Sequence, residues 1–323
     1  MIDSKIIIVG GGPAGSACAW KLKQAGEDCL ILDRKTFPRS KICAGWITPR
    51  VLTALEVKKQ AYPFLLKEID RIQFHLFGIR IPVPTRQYAI RRVEFDQWMV
   101  KRANVPVRTH TVKKITRENG WYVIDNQYRS RYLVGAGGTH CPVFATCFGK
   151  DEKKPLNAMI AAVEKEYQCD YLDSRCHIWF FDRKLPGYSW YLPKGNGWLN
   201  IGIGGKFLKI KKQGTTIMDH WRYFTQNLLS RSLIDRIPEY PQGHTYYLRH
   251  RMIRYQKENA FVVGDAAGLS TLDMGEGIHA AIASGILAAK AIVERKEFRA
   301  DALLKFSLPG IVLKQKDRNF SKR

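Results

Sequence analysis

The sequence predicts an α/β protein in which a doubly wound, Rossmann-like domain is interrupted by an inserted mixed-sheet α+β domain. Three observations predict this fold. A strand, glycine turn, helix and strand open the chain, and a strand, Gly-Asp turn and helix return from about residue 259. Between them, residues 156–248 carry short aromatic runs such as HIWFF and YSWYLP, which are typical of sheet strands. Strands alternating with helices favour a parallel sheet, whereas the aromatic runs favour a second sheet.

The N-terminal unit is KIIIVGGGPAGSACAWKLKQAGEDCLILDR, residues 5–34. Its β-branched run at 6–9 is typical of a strand buried on both faces. Residues 16–24 have a helical pattern, and a second apolar run at 29–32 ends in the acidic residue Asp33. With the glycine turn between strand and helix, this order predicts a dinucleotide-binding βαβ unit.

Each glycine of the G-x-G-x-x-G turn has its own expected role. Gly10 permits the tight turn, Gly12 lets the backbone approach a pyrophosphate, and Gly15 lets helix and strand pack closely. The helix N-terminus offers unpaired N–H groups and a positive dipole end to phosphates. Asp33 is placed to accept hydrogen bonds from ribose hydroxyls. The expected contacts to an adenine dinucleotide are Gly10, Gly12, Pro13, Ala14, Gly15, Asp33 and Arg34.

The C-terminal unit, NAFVVGDAAG followed by a helix at about 277–294, favours FAD over a nicotinamide dinucleotide. Asp265 is placed to accept from a ribityl hydroxyl, and the helix N-terminus is placed beside the flavin pyrimidine edge. Taken alone, Gly264-Asp265 is also compatible with an ordinary N-capped turn. Paired with the N-terminal unit, it predicts non-covalent FAD, contacted here by Gly264, Asp265, Gly277 and Ile278.

These patterns predict a discontinuous FAD-binding domain, an inserted substrate domain and a basic tail. The alternating segment RIQFHLFGIRIPVP contributes antiparallel strands to the inserted domain. The FAD-binding domain is expected to comprise residues 1–68, 88–154 and 255–305. The substrate domain is expected to comprise 69–87 and 155–254, and the tail 306–323.

The charge is strongly basic: 53 Lys and Arg stand against 29 Asp and Glu, for a net charge of +24. Basic residues cluster at 206–212, 249–257 and 314–323. Such a field attracts nucleic acid, phosphorylated substrates or an anionic membrane face. A basic proteome or a general need for solubility is the alternative. The hypothesis we carry forward is an anionic membrane surface or a phosphorylated prenyl substrate.

The cysteines and the absence of apolar segments indicate where the protein acts. Seven cysteines without metal-binding spacing predict reduced thiols and no metal site. The longest uncharged runs, 6–20 and 278–289, are shorter than the roughly 20 residues of a spanning helix. Glycines interrupt the only signal-like segment. We expect a cytoplasmic protein, with peripheral attachment at the inner face of the membrane as a further hypothesis.

Further motifs extend the pattern. KICAG (41–45) resembles a Lys-x-Cys-Gly-Gly segment, RVEFD (92–96) matches Arg-x-x-Phe-Asp, and YSWYLPKGNGWLNIGIG (188–204) resembles Tyr-x-Trp-x-Phe-Pro…Gly-x-Gly. GDAAG and GEGIHAAIASG resemble a C-terminal flavin-side motif. In this order, over residues 6–293, the chain resembles the geranylgeranyl reductase-like FAD-dependent oxidoreductases, within the group that shares the aromatic-hydroxylase FAD fold.

The resemblance implies that reduced FAD delivers hydride to a carbon–carbon double bond of a prenyl or isoprenoid, lipid-like substrate. Cys43 is implied beside the flavin as a participant in proton delivery; the alternative is a small buried hydrophobe. Tyr188 and Trp190 are implied as lining an apolar substrate cavity; the alternative is sheet core. The further expected FAD contacts are Ala44, Gly45, Arg92 and Val112.

The chain departs from the family at Ala44, Trp46 and Gly137, the last where related hydroxylases carry an aspartate. That aspartate is associated with nicotinamide handling, so NAD(P)H, ferredoxin and a quinol all stay open as a transient reductant. A flavin-dependent monooxygenase or halogenase-type enzyme is the alternative function, because fold does not fix chemistry. A flavin-containing RNA-modifying protein is a remote alternative, since no basic-aromatic interleaving supports nucleic-acid binding.

Overall fold

The computed structural model describes residues 1–300, 303 and 305–307, arranged as two mixed sheets with helices. The strands are β1 (Ile2–Val9), β2 (Cys29–Asp33), β3 (Trp46–Ile47), β4 (Lys67–Leu76), β5 (Ile79–Ala89), β6 (Val107–Thr109), β7 (Ile115–Glu118), β8 (Trp121–Ile124), β9 (Tyr128–Gly135), β10 (Met159–Gln168), β11 (Cys176–Phe180), β12 (Gly187–Gly195), β13 (Trp198–Lys206), β14 (Gln242–Tyr247), β15 (Gln256–Lys257) and β16 (Ala260–Val262). The helices are α1 (Pro13–Gln24), α2 (Pro49–Ala54), α3 (Arg92–Ala103), α4 (Phe207–Lys212), α5 (Ile217–Ser230) and α6 (Ile278–Glu294).

The first sheet has the order β15-β16-β9-β1-β2-β6, with β8 beside β9 and β7 beside β8. Strands β16, β9, β1, β2 and β6 run parallel, and their apolar residues share one buried cluster with residues of α1, α6, β7, β8 and the segment 141–148. Because parallel strands end at the same edge, the turns at Gly10, Ala136 and Gly264 follow neighbouring strand ends. This edge is where a doubly wound sheet binds its ligand.

The second sheet has the order β14-β10-β13-β12-β11-β4-β5-β3, and only the β4–β11 pair is parallel among its described pairings. Helix α5 covers one face, where Trp179, Tyr191 and Phe224 belong to one buried cluster. The opposite face turns toward the first sheet. Along β10, the alternate residues Ile160 and Ala162 line the space between the sheets, as the period of two requires.

The fold class predicted from the sequence is confirmed. The predicted hairpin at 71–84 is the β4–β5 pair, and the predicted C-terminal helix is α6. The second sheet also takes in β3 and the whole of 67–89, a wider segment than 69–87. The division into an FAD-binding and a substrate domain stays a proposal.

Two features concern the surface and the end of the chain. No helix among the described residues is both long and apolar enough to cross a membrane. The predicted basic tail at 306–323 lies outside the described residues from position 308 onward.

Candidate active site

A cavity of about 1140 Å³ lies between the two sheets. It exceeds the usual volume of a small-molecule pocket, roughly 300–1,000 Å³, and so has room for a dinucleotide and part of a second ligand. All the site residues predicted from the sequence line it except Gly15, Gly45 and Gly264. Those three glycines have no side chain to present, and each lies where the backbone is tightly packed.

The glycine turn between β1 and α1 forms one end of the cavity. Gly10 has a φ of +109°, which favours glycine, and an added Cβ at Gly15 would collide with the carbonyl oxygen of Gly10. Gly12 differs, because an added Cβ there would meet only the Arg39 guanidinium, at 3.5 Å. Gly12 therefore borders free space on the cavity wall. A backbone cradle that a side chain would fill fits a pyrophosphate.

Asp33 lies beside this turn, at the end of β2. Its Oδ2 accepts a hydrogen bond from the Gly11 N–H at 2.7 Å, and its Oδ1 accepts from the Lys35 N–H at 2.9 Å. Arg39 lies 3.6 Å from the same carboxylate. The backbone bonds hold Asp33 against the turn, and each carboxylate oxygen retains capacity to accept from a ribose hydroxyl.

The second predicted cofactor segment closes the cavity from the C-terminal side. Asp265 accepts from the Ser270 hydroxyl at 3.3 Å, and Gly277 is the N-cap residue of the 17-residue helix α6. Gly277 has no side chain to cap the helix, and the helix N-terminus lines the cavity with the positive end of its dipole. This arrangement suits the electron-rich edge of a reduced flavin.

Several cavity residues carry buried polar atoms that have no hydrogen-bond partner among the described residues. They are the indole Nε1 of Trp46, the hydroxyl of Thr48 and both amide atoms of Gln87. Leaving such atoms unpaired costs about 1–3 kcal/mol each, so a polar ligand is expected to meet them. An isoalloxazine ring, with donors and acceptors on one edge, fits this requirement. Sequence reasoning missed Thr48 and Gln87, because nothing local marks them.

Cys43 and Trp190 belong to one hydrogen-bonded chain. The Cys43 N–H donates to Glu164 Oε1 at 2.6 Å, and Glu164 Oε2 accepts from the Asn200 amide at 3.4 Å. Asn200 Oδ1 in turn accepts from the Trp190 indole N–H at 2.7 Å. The structure thus joins two of the predicted catalytic residues through two side chains that the sequence analysis did not select.

Glu164 is a buried carboxyl at the centre of this chain, 6% exposed. Burial raises its pKa, although Lys194 and the Cys43 N–H oppose the shift. A raised pKa keeps a larger fraction of the group protonated near neutral pH, as a proton donor requires. The signal that could have found it is its place on β10, at the same parity as the cavity-lining residues Ile160 and Ala162.

Arg92 is held rigidly beside Cys43. Its guanidinium donates to both carboxylate oxygens of Asp96, at 2.8 and 2.9 Å, and faces the Cys43 thiol. Burial alone would lower the pKa of Arg92, but Asp96 and Cys43 outweigh it and raise the pKa. Arg92 lines the cavity as a fixed positive charge, which suits the expected contact with FAD.

Lys41 and His244 form a second pair on the cavity wall, with 3.0 Å between Nζ and Nε2. Burial lowers the pKa of Lys41, and burial together with Lys41 lowers that of His244 to about 4. His244 is therefore neutral near pH 7 and accepts from the lysine. Lys41 is in the predicted KICAG motif, whereas His244 lies 203 positions away along the chain.

Tyr188 lies on the same face of β12 as Trp190, and both line the cavity. Its hydroxyl donates to the Met274 carbonyl at 2.6 Å, so the hydroxyl is already engaged. An aromatic row runs from Phe180 through Tyr188 to Trp190, with ring centroids 5.9 Å apart at each step. The row makes this half of the cavity apolar.

Glu276 lines the cavity just before α6 and was not selected from the sequence. Its Oε1 accepts from the His279 N–H at 3.1 Å. Burial raises the pKa of Glu276 to about 7, against the lowering effects of the His279 N–H and Arg50. His279 itself has a pKa lowered by burial to about 4. This carboxyl titrates near neutral pH beside the expected flavin site.

Comparison with known proteins agrees with this geometry. The family described as pyridine nucleotide-disulphide oxidoreductase matches residues 7–169. Over 319 residues, 92% of this chain and 78% of the relative, the sequence is 26% identical to digeranylgeranylglycerophospholipid reductase 2 of Methanopyrus kandleri. It is also 26% identical to geranylgeranyl diphosphate reductase of Rhodobacter capsulatus, over 94% of this chain and 79% of that protein.

Solved structures share the fold. A geranylgeranyl bacteriochlorophyll reductase-like protein from Thermoplasma acidophilum has a TM-score of 0.78 at 21% identity, covering 91% of this chain and 79% of that one. A flavin-dependent brominase has a TM-score of 0.74 at 19% identity, covering 92% and 81%. The chain belongs to the pyridine nucleotide-disulphide oxidoreductase family and is an FAD-dependent oxidoreductase, similar in sequence to geranylgeranyl reductases.

Proposed function

We propose that the protein reduces carbon–carbon double bonds of a prenyl or isoprenoid, lipid-like substrate. The observation that carries this proposal is the aromatic half of the cavity, which leads to the Cys43–Glu164 pair. An apolar chain could lie along Phe180, Tyr188 and Trp190 and bring a double bond beside a proton donor. The names of the relatives, a digeranylgeranylglycerophospholipid reductase and a geranylgeranyl diphosphate reductase, support the same substrate class.

The proposed chemistry needs a hydride and a proton, one for each carbon of the double bond. FAD, when bound and reduced, supplies the hydride. We assign the proton to the Cys43 thiol, which leaves a thiolate close to the Arg92 guanidinium. A proton from solvent then restores the thiol, and Glu164 holds the Cys43 backbone through its N–H. An isolated alkene is a poor hydride acceptor, so this proton must be held ready, and the aromatic walls exclude competing water.

The test is a single turnover without oxygen. Protein reduced by dithionite is mixed with a geranylgeranyl lipid, flavin reoxidation is followed by absorbance, and the product is identified by mass spectrometry. With the wild-type protein, the lipid product is expected to have gained two hydrogen atoms for each reduced double bond. Cys43→Ala should keep FAD and still be reduced, yet lose turnover by about 100-fold or more.

Cys169→Ala is the matched control, since Cys169 lies at the far end of β10 and does not line the cavity. It should turn over as the wild type does. Equal turnover in Cys43→Ala and wild type would return Cys43 to the role of a small buried hydrophobe. Oxygen consumption coupled to an oxidised or halogenated product would replace the reductase proposal with the monooxygenase or halogenase alternative.

We further propose that the physiological reductant, NAD(P)H or ferredoxin, binds only transiently. The sequence has no second glycine-rich nucleotide motif, and Gly137 stands where related hydroxylases carry an aspartate. Stopped-flow reduction of the bound flavin by each donor, at matched concentrations, distinguishes them. A donor that remains bound after reduction and gel filtration would contradict transient binding.

A further inference from the structure

The cavity reaches the surface at a basic, partly aromatic region, because Phe181, Lys206 and Lys209 both line it and are exposed. Residues 181–184 form a turn after β11, and residues 206–212 comprise the end of β13 and helix α4. The Lys206 N–H donates to the Pro186 carbonyl, and the Gln213 amide donates to the Lys184 carbonyl, so the two segments are joined. We call residues 181–184 and 206–212 the basic rim.

The basic rim holds an unusual density of unpaired positive charge. Six of its side chains are basic and exposed, and Asp182 is its only acidic residue. None of the six forms an ion pair with a described residue, although Arg183 lies over the Tyr223 ring at 4.6 Å. They are Arg183, Lys184, Lys206, Lys209, Lys211 and Lys212. Unpaired like charges this close repel one another, so the arrangement favours an anionic partner.

An exposed aromatic residue stands within this charge. Phe181 is 54% exposed, lines the cavity and has a φ of +57°, a backbone region that non-glycine residues rarely adopt. Arg183 and Lys184 in the same turn also have positive φ. Backbone strain of this kind persists where the surrounding structure maintains it, often at ligand-binding segments. Behind Phe181 the Phe180 ring lies 6.4 Å away and leads into the aromatic row of the cavity.

We propose that the basic rim docks the protein reversibly on an anionic lipid surface, with Phe181 at the interface and this opening of the cavity facing the bilayer. The positive charge of the basic rim selects anionic headgroups. The exposed Phe181 ring leads into the apolar half of the cavity and so provides a route for a lipid chain. A nucleic acid would satisfy the charge but not this apolar route. The proposal rests on the proposed function for its account of the cavity, but the docking itself is measurable without turnover.

The test is co-sedimentation of the full-length holoprotein with vesicles of phosphatidylcholine, with or without phosphatidylglycerol, at low and high salt. The wild type is expected to bind only the anionic vesicles and to be released by salt. The rim variant Lys184→Gln/Lys211→Gln/Lys212→Gln avoids the lysines that line the cavity. It should bind anionic vesicles on the order of 100-fold more weakly, since each such lysine contributes about fivefold.

A matched control removes the same charge elsewhere. Lys101→Gln/Lys113→Gln/Lys114→Gln changes three exposed lysines on and around the first sheet. Both triple variants keep the basic tail at 306–323 unchanged, so any contribution of the tail to vesicle binding is the same in each. Binding close to that of the wild type in the control, with slower amide hydrogen exchange of 181–184 and 206–212 on vesicles, supports the proposal.

Three results would overturn docking by the basic rim: equal losses in the two triple variants, binding that ignores lipid charge or salt, or tighter binding to a single-stranded RNA than to anionic vesicles. FAD content and dithionite reduction of the rim variant should match those of the wild type, which separates loss of docking from misfolding. Vesicle binding without prenyl reduction would count against the proposed function alone, whereas reduction of a detergent-dispersed substrate without vesicle binding would count against docking alone.

Discussion

Gly12 and Gly15 stand three positions apart in one motif, yet the structure requires glycine at them for different reasons. At Gly15 an added Cβ would collide with the backbone of Gly10, so glycine there serves the packing of α1 against β1. At Gly12 the added atom would enter the cavity, with only the Arg39 guanidinium nearby, at 3.5 Å. A substitution at Gly12 should therefore affect the ligand more than the fold.

Gly12→Val is expected to abolish FAD binding while the protein remains folded, because the new side chain would occupy the space of the pyrophosphate. The purified variant should be colourless and should not recover flavin absorbance after incubation with FAD. Its thermal unfolding should match that of wild-type protein stripped of FAD.

Gly204→Ala is the matched control for this prediction. Gly204 also lines the cavity, but on β13, where an added Cβ would make ordinary contacts at 3.7 Å with Ala162 and Ile160. This variant should keep its FAD. A yellow Gly12→Val protein with the wild-type flavin content would show that the glycine turn does not hold the pyrophosphate.

Among the secondary-structure elements, the contact between α1 and α6 matters most to the site. Gly285 on α6 lies so close to α1 that an added Cβ would collide with the Ala14 carbonyl oxygen. Gly264, in the turn that carries Asp265, also faces Ala14, with 3.1 Å from an added Cβ. The two cofactor segments therefore both lie in close contact with Ala14, through its backbone at Gly285 and its Cβ at Gly264, and small residues are needed at the crossing.

Gly285→Ala tests this contact, because helix propensity predicts an increase in the free energy of unfolding and packing predicts a decrease. Alanine in a helix interior is favoured over glycine by about 1 kcal/mol. We expect packing to dominate, with a net loss of about 1–3 kcal/mol in the free energy of unfolding, since backbone atoms cannot yield as a flexible side chain can. Denaturant unfolding measures the difference.

The control for the crossing is Lys290→Ala, on the exposed side of the same helix, which should change stability by less than about 0.5 kcal/mol. A Gly285→Ala protein more stable than the wild type would mean that α1 and α6 can separate at little cost.

At the scale of the whole molecule, one charged cluster connects the second sheet to the start of α3, a helix that packs against α1. Glu166 on β10 pairs with Arg91, which precedes α3, at 3.0 Å and with the buried Lys194 on β12. The Arg91 guanidinium lies 3.4 Å from the centroid of the Trp198 ring. The cluster lies next to Gly45, whose added Cβ would approach the Lys194 ammonium at 2.8 Å. It therefore links the second sheet and the start of α3 to the Cys43 segment.

Lys194→Met is expected to destabilise the protein by about 1–3 kcal/mol, because Glu166 loses a buried partner and keeps only the more exposed Arg91. Thermal unfolding should show the loss, and flavin fluorescence should show a looser site. The double variant Lys194→Met/Glu166→Gln should recover part of the stability, since no uncompensated charge remains.

Lys165→Met, on the neighbouring position of β10, is the control and should be close to neutral, because Lys165 has no ion pair with a described residue. If the Lys165 and Lys194 variants lose the same stability, the cluster does not connect the second sheet to α3 in an energetically important way.

The sequence by itself determined the elements whose geometry is local. The turn at 10–15 requires particular backbone angles and small residues over a few positions, and strand and helix periodicity flank it. The same holds for the turn at 264–268 and for α6. Cavity-lining residues within these motifs, such as Gly12 and Asp265, were therefore identifiable without a structure.

Only the tertiary structure decided which side chains complete the site. Glu164 meets Cys43 across 121 positions, and His244 meets Lys41 across 203. These contacts depend on the register of β10 and β14 and on how the second sheet lies against the first. A one-residue shift of either strand would turn the same side chain to the opposite face. Local sequence sets the periodicity of a strand, but the long-range pairing of strands sets what each face meets.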